Sequence, residues 1–189
     1  LPDLLKAEDG TVIDSAESWN SKRRPELLRL FEENVFGRLP QGDVKLRTRV
    51  RSENPGALDG AALRREVTVF FSEDDDGPQM DLLIYTPTDA TAAVTAFLGY
   101  NFNGNQTIEE DPSLHITESW VQNNNDQGIA NNKATEATRG SQAKRWAVEM
   151  IVKHGYGLVT IYYGDVDPDF DDGFKNGIHA LLKRDDSPR

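Results

Sequence analysis

AVTAFLGYNFNGN, Ala93 to Asn105, is the stretch whose reading decides the fold. Its first eight residues are apolar except for Thr95 and Gly99. A membrane span takes about 20 such residues, so the run is too short to cross a bilayer and fits a strand buried on both faces. The character then reverses, because Asn101, Asn103, Gly104 and Asn105 form a polar turn with a glycine in it. A loop that leaves the end of a buried strand is where α/β proteins usually place ligands and free backbone donors. The stretch therefore predicts a strand followed by a functional loop.

Upstream, residues 1–21 carry mixed signals and are expected to wrap the surface as an irregular arm. A helix is expected to start with Pro25 at its first position and to turn Leu27, Leu28, Phe31 and Val35 toward a core. Gly37 then supplies a left-handed cap, and Pro40 prevents continuation. Leu63–Phe71 and Met80–Tyr85 read as strands, joined by an acidic turn containing Gly77 and Pro78. So short a connection permits only an antiparallel hairpin, which Pro87 closes.

Downstream, residues 107–139 are polar and rich in asparagine, and a connection of that length is expected to shape a cleft, with Trp120 as a partial anchor. A second helix is predicted from Ser141 as N-cap through Ala143, Trp146, Ala147, Met150 and Ile151 on one face, ending at Gly155. Tyr156–Tyr163 follows as another buried strand. Strand, helix, strand of this kind calls for parallel pairing. The whole order, an antiparallel hairpin and then a parallel strand-helix-strand unit, is that of the N-terminal half of an α/β-hydrolase three-layer sandwich. Its fourth strand inserts between the second and third, so Leu158–Tyr162 is expected between Leu82–Tyr85 and Val94–Leu98.

Composition narrows the function. The 189 residues suffice for one domain with a real core and are too few for two of ordinary size; 37% hydrophobic and 28% charged residues describe a globular chain. A net charge of −11 argues against nucleic acid and against an anionic membrane as partners. The absence of cysteine removes disulfides, thiol catalysis and thiolate metal sites. A start at Leu1 rather than methionine suggests a processed or engineered N-terminus.

Several blocks, taken together, resemble the N-terminal half of bacterial glucuronoyl esterases, carbohydrate esterase family 15. They are Arg23-Arg24-Pro25-Glu26-Leu27, Val35-Phe36-Gly37-Arg38, Arg65-Glu66-Val67-Thr68, Asn101-Phe102-Asn103-Gly104-Asn105, Arg139-Gly140, Arg145-Trp146 and Tyr162 through Asp169. Gln106 stands where that pattern has histidine. The resemblance implies cleavage of the ester between a glucuronic acid of xylan and a lignin alcohol by a serine, histidine and acidic triad, without cofactor or metal, in a secreted or periplasmic enzyme. No nucleophile elbow of the Gly-x-Ser-x-Gly kind is present, so the triad is expected beyond Arg189 in a C-terminal remainder of the same domain, and no catalytic residue is assigned here. The expected site residues are Phe102, Asn103, Gly104 and Asn105 at the lip of a cleft, with at least one free N–H for an ester oxygen. Trp120 and Arg139 are expected to line the same cleft. An acetyl xylan esterase-like hydrolase and a non-catalytic carbohydrate-binding or calcium-stabilised module remain alternatives.

The blander roles of individual residues are also plain. His115, His154 and His179 share no motif, and His154 suits a helix C-terminus. Arg139 and Arg145 could meet an acidic sugar or pair with nearby carboxylates. The aspartates of DVDPDFDDG, Asp165 to Gly173, fail the spacing of a calcium loop, since the sixth and twelfth positions are Phe170 and Asn176 rather than glycine and glutamate. Capping of backbone amides is their expected use.

Overall fold

The computed structural model describes residues 2–38, 45–173 and 175–181. They fall into two compact units, residues 2–38 in one and the remainder in the other. Among the described residues no helix is long and apolar enough to cross a membrane.

In the first unit the helix begins earlier than the sequence suggests. Ser15 caps it by accepting from the Ser18 N–H, and helical structure runs without a break through Ala16–Ser18, Trp19–Arg23, Arg24–Phe31 and Glu32–Phe36. Pro25, which lacks an N–H, is tolerated inside this helix because the preceding turn is wider, the Arg24 N–H reaching back to the Trp19 carbonyl. The expected irregular arm therefore ends at residue 15. Leu28, Phe31 and Val35 are exposed rather than core-facing, with Phe31 stacked only on the likewise exposed Phe36 among the described rings. Gly37 does take a positive φ of 72°. Pro40 lies outside the described residues.

The second unit is a five-stranded sheet of order β1-β2-β3-β5-β4, with β1 Arg47–Ala57, β2 Ala62–Phe70, β3 Gln79–Pro87, β4 Ala96–Asn101 and β5 Gly157–Tyr162. The expected hairpin is β2–β3, antiparallel throughout from Ala62↔Pro87 to Phe70↔Gln79. β1 was not anticipated. It pairs antiparallel with β2 through a turn in which Leu58, Asp59 and Gly60 all take positive φ. The inserted strand is β5, antiparallel to β3 from Leu82↔Ile161 to Tyr85↔Leu158 and parallel to β4 from Ala96↔Gly157 to Asn101↔Tyr162. The core joins Leu83, Tyr85 and Leu158 of the sheet to Val148 and Val152 of the following helix and to Ile108 and Leu114 of the long connection.

Two expectations fail here. The second helix breaks at Ala147, whose φ and ψ of 44° and 44° are left-handed, into Ala143–Trp146 and Val148–Lys153. Gln142, not Ser141, precedes it, and beyond the break Val148 and Val152 face the core while Met150 is exposed. The other is β4, which starts at Ala96 and is not buried on both faces: Phe97, Leu98 and Tyr100 are 56%, 70% and 55% exposed. As the last strand of the sheet it pairs only with β5 among the described residues, so the backbone groups facing away from β5 have no ladder to join. An apolar open edge recruits other strands. The chain is therefore expected to self-associate at micromolar concentration, and Leu98→Lys to suppress this in light scattering. Equal monomeric masses for both proteins would show that the edge is covered.

Candidate functional site

β4 and β5 are parallel, so the loop after Asn101 and the loop after Tyr162 emerge at the same end of the sheet. The first is built on Asn101, which is 2% exposed. Its Oδ1 accepts the Gly104 N–H at 2.8 Å, and its Nδ2 donates to Asn105 Oδ1 at 2.7 Å. Asn105 also accepts from the Thr160 hydroxyl at 2.9 Å and donates to the Asp81 carbonyl at 2.8 Å, tying the loop to β5 and β3. Gly104 turns the chain at φ 100°, ψ 153°, where a Cβ would lie 2.3 Å from Gln106 Oε1. Only glycine fits.

The loop thus divides by function. Gly104 and Asn105, expected at the lip, are buried, because their polar groups are consumed in holding the turn. Phe102 and Asn103 face outward and line a hollow of about 240 Å³ with Tyr100, Gln142, Arg145 and Trp146. Arg145 is exposed and has no ion pair among the described residues. The main-chain N–H groups of Phe102 and Asn103, the two loop residues that face this hollow, have no hydrogen-bond partner among the described residues. Free N–H groups beside an exposed hollow are what stabilises an oxyanion.

Tyr100 also borders a second hollow, formed with Tyr163, Pro168, Phe170 and the aspartates 167, 169, 171 and 172. Phe102 packs on Tyr163 at 5.3 Å between ring centroids, and Trp120 on Phe170 at 5.3 Å. Trp120 is half-buried at this rim without lining either hollow. Arg139 lies elsewhere. Its guanidinium pairs with Glu136 at 2.6 Å and donates to the Asp111 and Leu114 carbonyls at 3.1 and 2.6 Å, so the residue braces the long connection. The acidic loop behaves as expected of caps, with Asp171 and Asp172 accepting from the Gly173 and Lys175 N–H groups at 3.0 Å each. His154 meets the Met150 carbonyl at 2.8 Å, and His179 faces Asp167 at 3.3 Å.

The long connection is anchored by buried and half-buried side chains, of which only Asp165 was expected to bind backbone amides. Gln106, fully buried, donates from Nε2 to the Asn103 carbonyl at 2.9 Å and to the Thr138 hydroxyl at 3.1 Å. Asp165 accepts from the Ser119 hydroxyl at 2.7 Å and from the Asp81 N–H at 3.1 Å. Burial pushes the Asp165 carboxyl up to about 6, with the Asp81 carboxylate adding to the rise and the Ser119 and Asp81 hydrogen bonds opposing it. Tyr162, whose hydroxyl donates to the Trp120 carbonyl at 2.7 Å, packs with Val121 and Ile129 in a second small core.

A mixed sheet with one strand inserted between the hairpin and the preceding parallel strand, and a backbone-donor loop after that strand, defines the N-terminal part of an α/β-hydrolase fold. No protein-family model matches the chain. A carbohydrate esterase from an unidentified prokaryote is 48% identical over 187 residues, covering 98% of this chain and 43% of that protein. Among solved structures, a promiscuous CE15 esterase from a marine bacterial metagenome superposes with TM-score 0.81 at 48% identity, covering 96% of this chain and 45% of that one. The glucuronoyl esterase of Solibacter usitatus gives TM-score 0.86 at 39% identity over 100% of this chain and 47% of that one. The chain's close homologues and structural neighbours are thus esterases of carbohydrate esterase family 15, and it spans under half their length.

Proposed function

We propose that the chain is the N-terminal portion of a single α/β-hydrolase domain of a serine carboxylic-ester hydrolase that cleaves glucuronoyl esters joining xylan to lignin in plant cell walls, outside the cytoplasm. The observation that carries this reading is the identity of 48% across 187 residues with a carbohydrate esterase. The free edge of β4 is where the strand leading to the nucleophile would pair in this fold. In this reading the Phe102–Asn103 backbone supplies one donor to the oxyanion, while the hollow beside Arg145 and the aromatic rim of Tyr100, Tyr163 and Phe170 receive the two sides of the ester. The serine, acid and histidine come from the remainder of the domain.

The test is hydrolysis of benzyl glucuronate by the chain alone and by the chain extended to the length of its relatives. Turnover only by the extended protein is expected. Activity of residues 1–189 alone would require another nucleophile, and inactivity of both would reject the reading. An acetylated xylan should be assayed alongside, because one structural neighbour is described as promiscuous.

A further inference from the structure

The Asn103–Gly104 peptide is held at both ends by buried side chains. Its carbonyl accepts from Gln106 Nε2 at 2.9 Å, and its N–H donates to Asn101 Oδ1 at 2.8 Å. Gln106 is 0% exposed, and its remaining capacity is also used: Nε2 donates to Thr138 Oγ1 at 3.1 Å and Oε1 accepts from the Thr117 N–H at 3.4 Å. The Thr138 hydroxyl is in turn turned toward the Thr135 carbonyl at 2.7 Å, so it accepts from Gln106 rather than donating to it. The Gln106 main-chain carbonyl takes the Gly140 N–H at 3.1 Å. One side chain and its own backbone thus join the outward-facing loop to residues 117 and 138 of the long connection and to Gly140 just beyond it.

We propose that Gln106 is a positioning residue for the ester-cleaving reaction: it fixes the Asn103–Gly104 peptide plane, and through it the direction of the unpaired Asn103 N–H. This rests on the esterase reading. A peptide pinned at both ends leaves little freedom to the residue before it, and Gly104, at a φ of 100°, cannot relax to an ordinary conformation without losing one of the pins. An amide side chain is required because the site needs a donor toward Asn103 and Thr138 and an acceptor toward Thr117 at once. Neither a carboxylate nor a thioether supplies both.

Two variants of similar volume separate this role from space filling. In the 189-residue chain, Gln106→Met is expected to lower the hydrogen-exchange protection of the Gly104 amide about tenfold, the loss of roughly one hydrogen bond. Gln106→Glu should protect Gly104 at acid pH, where the protonated carboxyl can donate to the Asn103 carbonyl, and lose that protection as the buried group ionises. In the protein extended to the length of its relatives, Gln106→Met should lower kcat on benzyl glucuronate about tenfold while KM stays within roughly twofold, since a misplaced oxyanion donor costs part of the ~100-fold of a deleted one. Unchanged Gly104 protection in Gln106→Met, a pH-independent Gln106→Glu, or a loss confined to KM overturns the proposal. An inactive extended wild-type protein rejects the esterase reading itself, whereas an active wild type with an equally active Gln106→Met variant rejects only the role of Gln106.

Discussion

Asp111→Ala is expected to destabilise the second unit by about 3–5 kcal/mol, the loss seen when a buried charge is left without its partner. Arg64, near the start of β2, is 2% exposed, and its guanidinium is met by the Asp111 carboxylate and, at 2.8 Å, by the Ser113 hydroxyl. Its neighbour across the ladder, Tyr85, donates its hydroxyl to Glu109, so residues 109–113 are stapled to the sheet by three polar contacts. Removing the carboxylate keeps the guanidinium in place with one neutral partner. Against a typical total of 5–15 kcal/mol, that loss is large enough to populate the unfolded state. Burial alone would raise the Asp111 carboxyl, but the Ser113 hydrogen bonds and the Arg64 charge outweigh it and hold it below its ordinary range. Its stabilising contribution is then present above the unfolded value near 3.8 and lost as pH falls through the folded one, so the difference from wild type should shrink in acid. Urea unfolding at pH 7 and pH 3 measures both effects. The double variant Arg64→Met/Asp111→Ala, which removes the buried charge as well, should recover most of the loss. A single variant within 1 kcal/mol of wild type at pH 7 would show that the pair is not a staple.

What could be read in the sequence was what rests on local pattern. The apolar run before Asn101 and the run Gly157–Tyr162 announce two strands whatever their surroundings, and the short acidic turn at Gly77 and Pro78 forces β2 and β3 into a hairpin. The order in which β5 falls between β3 and β4 came from the fold resemblance, and the pairing agrees. β1 carries no such pattern. It is the outer strand beside β2 and is largely exposed, carrying Arg47 and Arg49, whose guanidinium groups sit 4.6 and 4.9 Å from the Phe70 ring and share Asp75. The Asp59-Gly60 pair at its turn was the one local signal that could have revealed it. The divided character of the Asn101–Asn105 loop was hidden for a different reason. Whether an asparagine faces a cleft or the interior depends on partners far along the chain, and those of Asn105 lie 24 and 55 residues away. For Arg139 the pairing with a nearby carboxylate, one of its two expected roles, is formed with Glu136, and Ala147 was misread because a left-handed break in a helix leaves no periodic trace.

Asp165→Asn is expected to shift the pH dependence of stability by up to about 3 kcal/mol between pH 4 and pH 7, at 1.36 kcal/mol for each unit separating an ordinary aspartate from one pushed up to about 6. A carboxyl whose folded value is raised binds its proton more tightly in the native state than in the unfolded chain. Its favourable contribution is complete below the ordinary value of 3.8 and disappears as pH rises through about 6. The wild type should therefore lose stability across that window by an amount that the asparagine variant does not. The substitution suits the site, because an amide oxygen can still accept from the Asp81 N–H and the Ser119 hydroxyl can turn to accept from the new NH₂ group. Arg51, Asp81, His115 and Glu118 surround the same small hollow. Urea unfolding of both at pH 4, 5, 6 and 7 gives the curve directly. The variant should gain on the wild type steadily from pH 4 to pH 7. A difference that stays flat, or one that favours the wild type as pH rises, would mean that Asp165 is better served by its three hydrogen-bond donors than burial allows, and that its carboxylate, not its protonated form, is what ties residues 117 and 119 to the end of β5.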